Sequence, residues 1–208
     1  MAEKSQWYCA LEMIGAIEED SPEHPVHVRL ASGLCSDLYV NLWQLFAYPH
    51  MYEAACVHLL EKANLGKLNC NTWFMGPERG GIPLAFELGR QSHTCAGFVS
   101  KDEKATSGMR LKEFYPEKHQ EIIPVEDVLT SGGSVVRMCH ALAKAECRIR
   151  PMVLTLVNRS GRDHLYLPMA HTWTPIKVPI IALLELDKPG TFRSNCAKCQ
   201  KNQPPIRR

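Results

Sequence analysis

Residues 121–137, EIIPVEDVLTSGGSVVR, set groups that bind anions beside groups that bind hydroxyls or cations. An apolar run at 122–125 meets Glu126 and Asp127, then Val128 and Leu129, then Thr130, Ser131, Gly132, Gly133 and Ser134. Beyond them Val135, Met138, Cys139 and Leu142 recur at helical spacing. The order is strand, loop, helix. Such a loop opens a helix with several backbone N–H groups unpaired and pointing one way, which is the geometry that cradles a phosphate. Gly132 and Gly133 allow positive φ and a close approach to the anion. Thr130, Ser131 and Ser134 add hydroxyl donors. The acidic pair cannot face the phosphate, so it faces hydroxyls or a cation, which points to a ribose and to Mg²⁺ at Asp127. Pro124 lacks the N–H that a central strand uses, so a local irregularity is expected there.

Two further stretches carry charge suited to the same ligand. Gly76-Pro77-Glu78-Arg79-Gly80-Gly81 is a second glycine-rich loop, with backbone N–H groups for another anion and Arg79 for charge. The polar segment 100–113 has no core pattern and holds Lys101, Lys104, Arg110 and Lys112. It is expected to be a mobile loop of a length usually kept for function. Near the end, Cys196-Ala197-Lys198-Cys199 offers two metal ligands where a structural zinc wants four. The pair is either two free thiols on a basic tail or half of a Zn²⁺ site. The site would be completed by another subunit or by distant residues such as Cys35 or His171.

These loops need elements to position them. Trp7, Leu11, Ile14 and Ile17 share one face of a helix predicted over 3–17, ended by the polar stretch 18–25. Residues 26–30 and 36–41 alternate as a strand and its return, with a turn at 31–33. Pro49 opens a helix whose buried stripe is Tyr52, Cys56, Leu59, Leu60 and Ala63. Strands follow at 72–75, 95–99, 122–125, 152–157 and 178–184, with a helix at 82–90 and a turn at 158–161. This alternation predicts an α/β fold, a mostly parallel twisted sheet with helices on both faces. Each candidate loop then falls at the carboxyl end of a strand, where such sheets bind ligands. The predicted division is an N-terminal hood of helix and strands at 1–45, a core at 46–185, and a tail at 186–208.

The chain of 208 residues is long enough for one domain with a small appendage. A formal charge of +2 implies no large basic surface for nucleic acid. No apolar run approaches the roughly 18 residues that span a bilayer. The start lacks the form of a signal peptide, and nine scattered cysteines read as reduced thiols of a cytoplasmic protein.

The order of apolar strand, two acids, two apolar residues and T-S-G-G-S resembles the ribose-5-phosphate signature of the type I phosphoribosyltransferases. Residues 30–41 are similar to the L-x-S-G-x-x-S-x-x-Y segment of the orotate phosphoribosyltransferases. So are G-P-x-x-G-G-I-P at 76–83, F-V-x-K-x-x-K at 98–104, and Asn158-Arg159-Ser160-Gly161 beside that family's D-R-x-G turn. The matches run in family order from about residue 26 to residue 165. The resemblance implies the type I phosphoribosyltransferase fold, a homodimer, Mg²⁺, and transfer of ribose 5-phosphate from phosphoribosyl diphosphate to orotate. It implies ribose hydroxyls and Mg²⁺ at Glu126 and Asp127, and the 5-phosphate at 130–134, approached through Val128 and Leu129. Diphosphate is implied at Arg79 and at Lys101 and Lys104 reaching the neighbouring subunit, the base carboxylate at Arg159, and further substrate contact at Ser32 and Gly33. Ala31, Ser100 and Thr106 stand where the family has basic residues, Asn158 where it has aspartate, and Glu78 adds a negative charge near the diphosphate. These departures keep two other readings open, a different nucleobase or a non-catalytic regulator that binds phosphoribosyl diphosphate.

Overall fold

The computed structural model describes residues 5–30, 33–105, 108–172 and 174–206. The chain begins with α1 (Gln6–Met13), capped by the Ser5 side chain, which accepts from the Tyr8 N–H. The predicted helix over 3–17 is shorter because Gly15 takes φ +69° and closes it. Gly15 N–H donates to Glu12 O and Ala16 N–H to Leu11 O, the paired bonds of a Schellman end. Ile17 therefore belongs to β1 (Ile17–Glu19), so the polar stretch expected to follow the helix begins inside a strand.

The predicted hairpin at 26–41 divides in two. Strand β2 (Val28–Arg29) pairs with β3 (Cys35–Ser36) around Gly33 at φ +83°, whereas β4 (Leu38–Val40) turns away and pairs with β1. Ala31, Ser32 and Thr106 lie outside the described residues. After a short α2 (Trp43–Phe46), Pro49 opens α3 (Pro49–Ala63), whose buried stripe includes Tyr52, Cys56, Leu59 and Ala63. Then come β5 (Thr72–Pro77), α4 (Gly81–Ser92), β6 (Cys95–Lys101), β7 (Met109–Arg110), β8 (Glu121–Leu129) and α5 (Gly133–Lys144). They are followed by β9 (Arg148–Ile149), β10 (Val153–Asn158), β11 (His164–Leu167), β12 (Ile176–Glu185) and α6 (Ala197–Gln200).

The eight-stranded sheet runs β11-β12-β10-β8-β5-β6-β7, with β9 beside β8. The pairs among β12, β10, β8, β5 and β6 are parallel, and the edges β11 and β7 are antiparallel. Alternate residues of β8 serve opposite faces. Ile123 and Val125 pack in one cluster with α3, α4 and the N-terminal Leu11, Ile17 and Leu38, while Ile122 packs in the other with Val135, Met138 and Leu142 of α5. Pro124 falls where one flank of β8 changes neighbour. Strand β9 pairs with Glu121 and Ile122, and β10 takes over from Val125. Strand β11 was not expected from the sequence. Its four residues, HLYL, are too short and mixed for a clear period.

Segment 100–113 is not without core, contrary to the sequence reading. Met109 is 2% exposed in the α5 cluster, because the β6–β7 pairing turns its side chain inward. Met109→Ala is expected to destabilise the protein by about 2–5 kcal/mol, and Glu103→Ala, on the exposed part, by no more than about 0.5 kcal/mol. Urea unfolding of both variants checks this; equal small losses would return the segment to a surface loop.

Candidate functional site

Sheet topology brings the glycine loops together. Successive strands run β5 to β6 in one direction, and then β8 returns to the other side of β5. Two loops therefore leave β5 and β8 in opposite directions and open a crevice at their carboxyl ends. The β5–α4 loop lines one wall, the β8–α5 loop the other. Gly80 rests directly on the Asp127 side chain, so that a Cβ there would collide with the carboxylate. Gly76 and Gly81 press backbone to backbone, which folds the loop tightly, and the Glu78–Arg79 peptide is cis.

The β8–α5 loop encloses a cavity of about 110 Å³ lined by Glu126, Val128, Leu129, Thr130, Ser131, Gly132, Gly133, Ser134 and Arg137. Gly132 holds φ +77° as the residue before α5, and a Cβ there would strike Leu165 of β11. Gly132 has no side chain to cap the helix, and apart from a long 3.4 Å bond from the Gly133 N–H to Ser131 Oγ the first-turn N–H groups are left for an anion. Arg137 lies one turn into α5, and its Nη2 donates to Ser134 Oγ at 3.3 Å. Sequence reasoning gave Arg137 no role. The signal was its position three residues after Ser134, which sets both on one helix face.

Glu126 and Asp127 straddle the end of the sheet, as alternation along β8 requires. Glu126 faces the cavity beside α5, and Asp127 faces Gly80 beside α4. Burial, then the neighbouring Asp127 carboxylate, hold the Glu126 carboxyl well above the ordinary carboxylate range. Burial raises Asp127 as well. Glu126 is buried and Asp127 half-buried, and among the described residues neither is in an ion pair, although the charge of Arg137 acts on Glu126. Such carboxylates are oxygen donors suited to a divalent cation or to sugar hydroxyls.

The other predicted residues are spread more widely. Arg79 is exposed on the β5–α4 loop. Glu78 does not confront an incoming anion with a free charge, because its Oε1 accepts the Lys101 N–H at 2.7 Å. Ser100 is buried and donates to Glu113 Oε2. Lys101 and Lys104 are exposed, and Lys104 lines another cavity of about 800 Å³ between segment 102–115 and the far part of α5, away from the cradle of its own chain. Asn158 organises its turn, with Oδ1 accepting from the Ser160 N–H and hydroxyl and Nδ2 donating to Arg162 O.

Arg159 is only 1% exposed. Its Nη1 donates to Leu38 O at 2.8 Å, and its Nη2 to Ser36 Oγ at 2.5 Å and Lys188 O at 2.9 Å. The guanidinium thus clasps β3, β4 and the start of the tail onto the end of β10. Cys196 and Cys199 lie with Cys35 and His27 at the β2–β3 hairpin, apart from the phosphate cradle. His171, the histidine suggested by sequence, lines a different cavity with Lys118 and Glu146.

No protein-family model matches the chain. The chain is 36% identical over 182 residues to an orotate phosphoribosyltransferase of Caldanaerobacter subterraneus subsp. tengcongensis, covering 87% of each chain. It is 30% identical over 182 residues to one of Carboxydothermus hydrogenoformans, again covering 87% of each. Among solved structures, the orotate phosphoribosyltransferase of Aeropyrum pernix superposes with a TM-score of 0.64 at 21% identity, over 86% of this chain and 92% of that one. The adenine phosphoribosyltransferase of Rhodothermus marinus superposes at 0.54 with 20% identity, over 86% and 99%. The two superpositions bear out the fold. Among the described residues no helix is long and apolar enough to cross a membrane.

The raised carboxyl of Glu126 sets a pH dependence. A group whose folded pKa lies above its unfolded value stabilises the fold at low pH, and that contribution is lost as pH rises towards the folded value. Glu126→Gln is therefore expected to raise the stability of the ligand-free protein at neutral pH by on the order of 1 kcal/mol, roughly 2–4 °C in Tm. It should also flatten the decline above the ordinary carboxylate range. Thermal melts across pH read both effects; a variant less stable than the parent at neutral pH would contradict the reading.

Proposed function

The chain belongs to the orotate phosphoribosyltransferase family of transferases, and from that membership we propose that it transfers ribose 5-phosphate from phosphoribosyl diphosphate to orotate. Orotidine 5′-phosphate and diphosphate are the products. The single observation that carries this reading is the acidic pair set between two glycine loops, with the Asp127 carboxylate against Gly80 and Glu126 in the cavity of the β8–α5 loop.

Each part of the crevice has a task that its chemistry suits. The 130–134 turn and the α5 N-terminus take the 5-phosphate by backbone and hydroxyl donors, with Arg137 adding positive charge. Glu126 and Asp127 accept from the ribose hydroxyls, and their charge favours the cationic character that develops on the ring as diphosphate departs. Arg79 and the N–H groups of residues 79–81 take the diphosphate in this reading. Asp127, with Glu126, has the oxygen donors to hold Mg²⁺, which when bound neutralises the diphosphate. Bond-making asks little covalent work of the protein, so positioning and exclusion of water carry most of the acceleration. Arg159 ties the hood against the β10 turn that the family uses for the base, with its Nη groups engaged by Ser36, Leu38 and Lys188, so that it positions that turn.

Lys104 does not line its own cradle. It serves instead the site of a second copy in a two-fold dimer, with each site shared between chains.

Release of diphosphate from phosphoribosyl diphosphate and Mg²⁺, measured with a panel of bases, is expected with orotate and not with adenine or uracil. Preference for another base would move the acceptor, and tight donor binding without turnover would make the protein a sensor. Asp127→Asn should weaken donor binding by about 1.5–3 kcal/mol. Inactive Lys104→Ala and inactive Asp127→Asn, mixed and allowed to exchange subunits, should regain up to about a quarter of native activity, because half the dimers are hybrids with one intact site. No recovery despite verified exchange would confine Lys104 to its own chain or to no site at all.

A further inference from the structure

Four side chains from three separate stretches converge on one point at the β2–β3 hairpin. His27 precedes β2, Cys35 lies in β3, Cys196 precedes α6, and Cys199 lies within it. One ligand atom from each lies within 4.8 Å of all the others. Cys35 Sγ and Cys199 Sγ are 3.6 Å apart, Cys196 Sγ and His27 Nε2 3.3 Å, and Cys199 Sγ and His27 Nε2 3.8 Å. Tetrahedral zinc, with Zn–S of about 2.3 Å and Zn–N of about 2.0–2.1 Å, sets sulfurs about 3.8 Å apart and sulfur and nitrogen about 3.5 Å apart. The observed sulfur–nitrogen spacings lie on either side of their edge, and the sulfur–sulfur spacing of 3.6 Å is slightly shorter than its own. Nδ1 of His27 is buried with no hydrogen-bond partner among the described residues, and the ring's other nitrogen, Nε2, faces the Cys196 and Cys199 thiols.

The tail also needs a fastening that its core does not supply. Among the described residues after Leu186, no hydrophobic side chain is fully buried, and Phe192 and Ile206 are 69% and 64% exposed. Residues 187–206 are held by polar contacts: Arg159 on Lys188 O and Lys188 on Glu19 at their start, backbone pairing of Thr191 with Cys35 and of Ile206 with Arg29 and His27, and Lys198 on Asp20 and on Val26 O. Such a segment is marginal without a staple. We propose that His27 Nε2 and the thiolates of Cys35, Cys196 and Cys199 form a structural Zn²⁺ site that fastens residues 187–206 to the β2–β3 hairpin. A closed Cys₃His set leaves no open position for substrate, which makes the site structural rather than catalytic. A disulfide between Cys35 and Cys199 would use two of the four groups and leave the convergence of the other two without purpose.

Fastening reaches the crevice through Arg159. That side chain donates to Ser36, next to Cys35, and to Lys188 at the start of the tail. A zinc ion there would hold two of the guanidinium's three acceptors in register.

Native mass spectrometry of the full chain, purified reduced and without chelator, is expected to show one zinc ion per chain. Cys196→Ser/Cys199→Ser should carry none, and Cys70→Ser, at an exposed cysteine outside the cluster, should keep its zinc. Should the double variant fail to fold, the wild-type chain gives the answer. Chelation should lower its Tm and make the tail the first site of limited proteolysis, and added zinc should reverse both. A reduced wild-type chain that binds no zinc at micromolar concentration, zinc retained by the double variant, or a chain lighter by two protons with no metal would each overturn the proposal. None of these measurements uses a substrate, so they stand or fall apart from the transferase reading.

Discussion

The reversal of strand order between β5 and β8 is the constraint on which the molecule depends. Parallel neighbours that lead their connections to opposite faces leave a gap at their carboxyl ends that no side chain of the sheet fills. Both glycine-rich loops start at that gap, because they are the connections that leave these two strands. The helices must then cover both faces, α3 and α4 on one and α5 on the other, and each does so with its apolar stripe. Burial of β8 on both sides is what places two carboxylates in the gap with no ion-pair partner among the described residues and Arg137 only across the cavity.

That placement costs stability in the ligand-free chain, and the site is built around the cost. Glu126 and Asp127 point to opposite faces by the period of the strand, so one acid meets each wall of the crevice. Cations are kept at the rim, on Arg137, Arg79 and the lysines of 101–104, rather than paired with the acids. Glu78, which sequence alone sets against an anion, is occupied by the Lys101 N–H and ties the β5–α4 loop to the end of β6. A sugar phosphate with Mg²⁺ would bring together charges that the empty crevice holds apart.

Much of this was legible in the sequence where a period or a turn residue carried it. Val135, Met138, Cys139 and Leu142 are all fully buried, because a helical stripe has one face to offer. The β10 sequence, VLTLVN, is buried throughout, as an apolar run in a parallel sheet should be. What was not legible depends on distant backbone. The acceptors of Arg159 include the carbonyls of Leu38 and Lys188, groups that every residue carries and no sequence marks. Met109 is a lone apolar residue in a polar run, buried by a two-residue pairing too short to show a period. Cys35 was named as a partner for the terminal cysteines, but His27 and not His171 stands beside them, because only the fold says which histidine returns to the tail.

The central claim is that the crevice between β5 and β8 holds the donor from end to end. A crystal structure of the chain with phosphoribosyl diphosphate and Mg²⁺ tests it most directly. The account predicts the 5-phosphate against the backbone N–H groups of residues 131–134, the ribose hydroxyls within hydrogen-bond reach of Glu126 and Asp127, and the diphosphate along residues 78–81. A donor whose phosphate lies outside the β8–α5 loop, or whose ribose leaves the two carboxylates untouched, would contradict it.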